Sequence, residues 1–593
     1  MKRILLFFWF YTVLFCSALT AADIVISPET GTLHDALRDA RELRRLGKIA
    51  PGETIHIRLK GGVYPLDEAI LIRPEDSGTE SSPTIIEAFA GEQPVLSGGV
   101  RITGWKKEGK YRTAQVPEHN GFPFLFRQLW VNGKKAVRAR DVANFDDMNR
   151  IVSVDKEKQI LWIPAKAVSK IKSAANMELI LHQMWEIAVL RIKNIIVQGD
   201  SAGIRFHQPE SRIQFEHPWP SPMMKAGFHS PFYLTNALEF LDEPGEWFFD
   251  RKTRKLYYLP FPEEDMKTAE VIAPVLENLV EIAGTIDRPV QHVYFKGIAF
   301  QYTTWNRPSE QGHVPLQAGM YLLDAYKLRP PGVPGNKNKG IENQAWIGRQ
   351  PAAVEVKFSQ NIRFENCIFE RMGACGLDFI EGTAFDKTEA CIFRDIAGNG
   401  IQSGKFSDAG METHLPYSPA DGRAVCSDDY FANNLITNVG NEDWGCLGIA
   451  AGFVRRINIE HNEICEIPYT GISLGWAWTK TANCMEDNRI HANYIHGYAR
   501  HNYDVAGIYT LSAQEGTQIT ENRIERIYRP PYVHDPNHWF YLYTDEGSSY
   551  ITVKNNWCPE EKFLQNANGP GNTWENNGPM VLEEIKNKAG IRK

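Results

Sequence analysis

The sequence predicts an all-β protein, a right-handed parallel β-helix carrying an inserted β-sandwich-like domain, and three observations carry that expectation. The first is a recurring phrase of an apolar residue, an Asn three positions on, and a second apolar residue two positions further. It reads Phe431-x-x-Asn434-x-Ile436, Ile459-x-x-Asn462-x-Ile464, Ile490-x-x-Asn493-x-Ile495, Ile519-x-x-Asn522-x-Ile524 and Val553-x-x-Asn556-x-Cys558. Its asparagines are 28, 31, 29 and 34 residues apart, the period of an array whose coils bury one continuous core. The second is a strand opening on Gly and an aliphatic residue in each coil: Gly376-Leu377, Gly400-Ile401, Gly448-Ile449, Gly471-Ile472 and Gly507-Ile508. The third is a stretch, 104–287, where the period is absent and strand pairs appear instead, such as Trp247 to Tyr258 turning near Arg251 to Arg254. A leucine-rich or helical repeat is disfavoured, because the units lack both a Leu-x-x-Leu-x-Leu frame and a 3.6-residue period.

Taken in order, residues 1–22 read as an export signal: basic Lys2-Arg3, an apolar run from Ile4 to Leu19, then small residues to Ala22. The mature protein is therefore expected in a periplasm or the medium, with no membrane anchor. Residues 23–103 alternate, as in Ile55 to Leu59 and Pro83 to Ala88, and read as first coils; Leu33 to Leu46 reads as a helix capping the open end of the array. The inserted β-rich domain follows at 104–287, the main array at 288–565, and a polar tail at 566–593.

Composition narrows the chemistry. A net charge of -7 disfavours nucleic acid, and 11% aromatic residues, with 15 Trp and 22 Tyr, supply rings of the kind that stack on sugar faces. The eight cysteines beyond residue 22 lie singly between Cys367 and Cys558, with no C-x-x-C pair, which fits neither a zinc site nor a disulfide framework. Cys367 and Cys391 fall at the Asn position of earlier coils and read as buried ladder residues. No metal or organic cofactor is indicated.

From the Asn or Cys position to the next strand the count is 9, 9, 14, 9, 14 and 19, so three coils carry extra residues at one corner. Those insertions hold Glu442, Asp443 and Trp444, then His501 and Asp504, then His534, Asp535, His538 and Trp539. Equivalent corners of stacked coils share one face, so the three insertions are expected to build one cleft. Asp504 precedes the strand Gly507 to Thr510, and Asp545 follows the aligned strand Tyr541 to Thr544. Two carboxyl groups beside one stretch of sheet suit glycoside hydrolysis, in which one must be protonated and the other ionised. Spacing alone does not say which is which, and the same residues could be a helix-free turn cap and a solvated turn. Glu442, Trp444, Trp476, His501, Tyr509, His538 and Trp539 are the expected sugar contacts, with Trp478 a further ring and Asp443, Glu515, Asp535 and Glu546 the remaining acids.

The phrases His501-Asn-Tyr-Asp504-Val-Ala-Gly-Ile-Tyr509-Thr and Trp539-Phe-Tyr-Leu-Tyr-Thr-Asp545-Glu-Gly-Ser-Ser resemble those of glycoside hydrolase family 141. So do Leu129 to Arg140 and Asn236 to Arg251, and the likeness runs over nearly the whole mature chain. The resemblance implies a β-helix with a β-sandwich-like insertion, an α-L-fucosidase or xylanase activity on plant cell-wall glycans, and catalytic roles for Asp504 and Asp545. The expectation is an exo-acting α-L-fucosidase removing fucose from a pectic side chain of the rhamnogalacturonan II type. A xylan-cleaving or β-xylosidase-like hydrolase is the alternative. A polysaccharide lyase would need a calcium-binding acidic cluster with a Lys or Arg base; neither aspartate has a second acid two residues on, and no Lys lies between Tyr503 and Tyr543. A non-catalytic glycan-binding β-helix leaves the corner acids without a role.

Overall fold

The computed structural model describes residues 22–592, apart from 51, 217, 326, 329–342, 345 and 407–412. The export-signal reading of 1–22 thus lies almost wholly outside the described residues. No described helix is long and apolar enough to cross a membrane.

Three long parallel sheets run along the array. The first has twelve strands, from Ala22–Ile26 to Thr573–Glu575; the second has nine, from Gly62–Pro65 to Arg523–Ile527; the third runs from Ile70–Ile72 to Phe563–Gln565. Each coil crosses them in that order, as in Asn458–Glu460, Glu463–Cys465 and Ile472–Leu474. Period-two alternation places Ile459, Ile464 and Ile472 inside with no exposed surface. Phenylalanines stack in the same way in earlier coils, Phe369 on Phe393 at 4.5 Å between ring centroids. The helix Leu33–Arg45, capped by Thr32, lays Leu33, Ala36, Leu37 and Ala40 over the open N-terminal end.

The turn from first to second sheet repeats in every later coil. The residue before each Asn is left-handed (φ +55° at His461, +52° at Ala492, +60° at Glu521), which turns the chain and points the Asn inward. Asn493 Oδ1 accepts from both Asn462 N and Asn462 Nδ2 at 3.0 and 2.9 Å, while Asn493 Nδ2 donates to Ile459 O at 2.8 Å and to Asn522 Oδ1 at 3.0 Å. Every buried polar atom of that amide is thereby used. Cys391 and Cys367 extend the column, Cys391 N donating to Asn434 Oδ1 at 2.9 Å. At the far end the column continues beyond the expected limit: Asn556 donates to Asn577, and Thr573–Glu575 adds a strand. That last coil lacks the second apolar residue, having Pro579 there, so its phrase is incomplete.

The Gly-aliphatic openings have a steric cause. A Cβ on Gly376, Gly400, Gly448 or Gly471 would lie 2.6–2.7 Å from the carbonyl oxygen of the next glycine in the column. Backbones approach there too closely for any side chain.

The inserted residues form mainly antiparallel sheets. A four-stranded sheet including Trp130–Val131 and Val271–Pro274 faces a five-stranded one including Glu246–Asp250 and Lys255–Tyr258 across a core of Leu129, Trp247, Phe249, Leu256 and Tyr258. A seven-stranded sheet is centred on the hairpin Glu178–Gln183 and Glu186–Gln198. Within the expected insertion, Val280–Ala283 already belongs to the third parallel sheet, pairing with Ile70–Ile72 and Ala352–Gln360. The domain is clamped to the coils by Lys135, 3.2 Å from Asp395 and 3.1 Å from Glu442, and by Trp130 Nε1 donating to Asp395 at 2.8 Å.

Candidate active site

Asp504 and Asp545 come together through a strand pair near the C-terminal end of the third sheet. Val505–Thr510 runs beside Trp539–Thr544 with Val505 opposite Trp539 and Tyr509 opposite Tyr543. One residue before that register Asp504 meets His538: Asp504 N donates to His538 O at 2.7 Å, and Asp504 Oδ1 lies 3.1 Å from His538 Nε2. Asp504 is itself left-handed at φ +59°, a conformation that Asp tolerates better than most residues, and Tyr469 donates its hydroxyl to the Asp504 carbonyl at 3.1 Å. The ion pair raises the His538 imidazole pKa.

Asp545 is enclosed, 9% exposed. Tyr509 donates to its Oδ2 at 2.5 Å and Asn566 to its Oδ1 at 2.7 Å. Burial nevertheless wins: the carboxyl pKa is raised, with the Asp504 charge adding to the push and the two donors opposing it. The two acids thus have different surroundings, one half-open against an imidazole, the other buried against a phenol. Around them stand Tyr509, Tyr543, Phe540 and Trp478 as one aromatic cluster, with Phe540 and Trp478 partly open.

The other expected contacts divide. His538 and Tyr509 belong to the aspartate pair. His501 stacks on Trp444 at 4.1 Å and bonds Tyr532 Oη at 2.5 Å; burial lowers its pKa to about 3, so it is a neutral packing residue. Trp444 was expected to stack on sugar, but at 2% exposed it is enclosed among Val142, Ile187, Val189 and Tyr532 and seats the inserted domain. Trp476, 1% exposed, packs against Phe406 and Trp478, and Trp539, 3% exposed, is covered by Lys562 at 3.9 Å from its ring centroid. Glu442 is engaged by Lys135 and by Gln128 at 2.8 Å. Asp443 is held by Gln350 at 2.5 Å and His313 at 3.2 Å, Asp535 accepts from its own turn at Asn537 N, and Glu515 and Glu546 are exposed. The corner insertions therefore do gather on one face, but their inner side is the seat of the inserted domain.

Tyr543, Asn566, Tyr469 and Phe540 are missing from the expected set. Tyr543 was within reach of the alternation rule, since Leu542 and Thr544 point inward and Tyr543 must point out. Glu186, at the start of the second strand of the inserted hairpin, had no signal. It is fully buried against Gly445, and burial with the nearby Asp443 charge raises its pKa well above the usual range. At that seam a small void of about 30 Å³, room for one water, is lined by Arg127, His313, Gln350 and Asp443. Among the described residues, Glu463, Cys465 and His496 bring potential metal ligands within 4.8 Å of one another on the second sheet, but Arg526 already places its cation 2.5 Å from His496 Nδ1.

A parallel β-helix presenting two carboxyl groups in unlike surroundings beside aromatic rings suits a glycoside hydrolase, and similarity to known proteins shows that class. A solved structure named glycoside hydrolase is 56% identical, covers 96% of this chain and 99% of its own, and superposes with a TM-score of 0.94. The family model for the GH141 insertion domain matches residues 109–261. The chain belongs to glycoside hydrolase family 141. Two more distant structures are XylC with xylose, at 11% identity over 92% of this chain and 70% of that one with a TM-score of 0.46, and a family 28 exopolygalacturonase of Yersinia enterocolitica, at 8% identity over 94% and 78% with a TM-score of 0.29. No curated protein matches.

Proposed function

We propose that this glycoside hydrolase is an exported, exo-acting α-L-fucosidase that removes fucose from pectic side chains of the rhamnogalacturonan II type, using Asp504 and Asp545. The observation that carries the catalytic part is the contrast between the two acids. Asp545, buried with a raised pKa, is suited to hold a proton and pass it to the departing glycosidic oxygen. Asp504, fixed through His538, is the partner carboxylate on the other side of the scissile bond. The Asp545 proton goes to the leaving oxygen as the C–O bond breaks; water supplies the hydroxyl to the anomeric carbon and its proton to a carboxylate. The choice of fucose and pectin rests on the resemblance of the His501 to Thr510 and Trp539 to Ser549 phrases to the family. Export rests on the basic and apolar start of the chain.

The test is chromatography of monosaccharides released from fractionated pectin and from xylan. Fucose from pectin, absent when either Asp504→Asn or Asp545→Asn replaces the wild type, is the expected result. Xylose or xylo-oligosaccharides from xylan, lost in the same variants, would keep the aspartates and replace the substrate. Release undiminished in either variant would remove the aspartates from the mechanism.

A further inference from the structure

The inserted domain braces one segment against the residues that precede Asp504 in the chain, and that segment exposes apolar surface. Between residues 218 and 228, Trp219 is 43% exposed, Met224 41% and Phe228 44%. Single exposed apolar side chains are ordinary on any surface. This group differs in its attachments, which lead at both ends to the residues just before Asp504.

At one end, Gln183 Nε2 donates to Pro220 O at 2.8 Å, and the Trp219 ring meets Trp185 edge-on with centroids 6.0 Å apart. Trp185 sits at the tip of the inserted hairpin. Its carbonyl accepts from Asn502 Nδ2 at 2.9 Å, and the neighbouring Met184 carbonyl accepts from Tyr503 N at 3.4 Å. At the other end, Phe228 meets His534 edge-on at 6.0 Å, and His534 Nδ1 lies 3.3 Å from the Tyr503 hydroxyl. Arg150 ties this end down, donating to His229 O at 2.7 Å and to Tyr532 O at 2.9 Å. Two partly exposed rings are thus held on a braced segment, linked through Trp185 to Asn502 and through His534 to Tyr503.

We propose that Trp219 and Phe228 form a shelf for the sugar units on the leaving-group side of the scissile bond. It rests on the glycosidase reading above. The physical reason is that a pyranose ring carries an apolar C–H face with polar hydroxyls at its rim, and an exposed, pre-positioned aromatic ring matches that face with little ordering cost. The inserted domain then contributes to substrate choice by holding the chain from which a terminal sugar is removed.

Two measurements test this. Binding of pectic oligosaccharides to the Asp545→Asn protein, followed by isothermal titration, should weaken about tenfold on adding Trp219→Ala, the value of one good aromatic contact. Trp219→Phe should recover most of it, and Phe122→Ala, a 72% exposed ring elsewhere on the inserted domain, should change nothing. In otherwise wild-type protein, the ratio of kcat/KM on an oligosaccharide to kcat/KM on an aryl glycoside of the same terminal sugar should fall by a similar factor in Trp219→Ala and in Phe228→Ala. Unchanged affinity, an unchanged ratio, or equal losses with Trp219→Phe would overturn the shelf. Because the titration needs no turnover, a protein that binds oligosaccharide through Trp219 yet releases no sugar would sink the hydrolase assignment and leave the shelf standing.

Discussion

The two turns that border the second sheet face opposite demands. The turn before it holds the Asn column, in which Asn462, Asn493 and Asn522 each satisfy donors and acceptors of their neighbours. The corner after it holds the insertions; against them the Glu186 carboxyl and His313 Nδ1 lie buried without side-chain partners, and the third-sheet strand that the last insertion leads into ends just before Asp545, whose pKa is raised. Regularity at the first turn stabilises the stack. At the corner, unequal surroundings make two carboxyl groups chemically different, and such differences arise only where the coil departs from its pattern.

The largest expected effect breaks the comparison at the corner. Asp545→Asn is nearly isosteric and keeps one oxygen to accept from Tyr509, while its amide can donate to a flipped, partly exposed Asn566, so it should leave the melting temperature within a degree or two. Turnover should fall by about 10²- to 10⁴-fold, the range expected for a lost general acid. Steady-state kinetics alongside calorimetry would check this, and a large loss of stability with modest loss of turnover would place Asp545 in the scaffold.

The complementary change is Asn493→Ala. It leaves Asn462 N without its acceptor, one of the two Asn462 Nδ2 hydrogens unpaired while the other keeps Phe431 O, and Ile459 O without the Asn493 donor, all inside the core. An unmet buried group costs about 1–3 kcal/mol, so a loss of about 3 kcal/mol or more is expected, read as a lower denaturation midpoint, with kcat retained in the folded fraction. If both variants lost activity and stability together, the separation of roles between the two turns would fail.

How much of this was readable follows the same divide. The column was legible because each coil repeats its own local phrase, and even Cys367 and Cys391 could be placed by register. Trp444, Trp476 and Trp539 were misread as sugar platforms because ring chemistry is visible in a sequence while its cover is not. Trp444 is enclosed by Ile187 and Val189, which lie far away in the chain, and Trp539 by the cation of Lys562. Glu186 and Trp219 reach the site only through the inserted hairpin, by contacts such as Asn502 to Trp185 that span 317 residues. The placement of Asp504 and Asp545 at either end of one aligned strand pair was legible from the strand phrases themselves.

A finer test concerns the phenol at Asp545. The Tyr509 hydroxyl bond lowers the Asp545 pKa against the stronger effect of burial. Tyr509→Phe removes that bond, so the pKa of Asp545 should rise further. A general acid works while protonated, and the alkaline limb of the kcat profile should therefore move to higher pH. If instead the acid limb moved to higher pH while the alkaline limb stayed in place, Asp545 would hold the opposite role, acting ionised.

The smallest expected effect lies in a second column, where the regular architecture itself contains acids. Asp429 is fully buried, accepting from Thr383 Oγ1 at 2.7 Å and from Asp386 N at 3.0 Å, while two coils further on Asn488 does the same task toward Ile457 N. Burial raises the Asp429 pKa, so the neutral form is the one the fold prefers. The sign follows: a carboxyl whose folded pKa exceeds its unfolded value contributes stability that is present at acid pH and is lost as pH rises through the folded pKa. Asp429→Asn keeps an oxygen for Asp386 N and a group that can donate to Thr383 Oγ1, with no charge to bury. It should be close to neutral near pH 4 and stabilising by about 1 kcal/mol or more once pH reaches about 7, seen as a smaller decline of melting temperature between pH 4 and 7. Equal melting temperatures for variant and wild type across that range would mean that Asp429 ionises inside the stack without cost, and the column would then tolerate the charge that is here assigned to the corner alone.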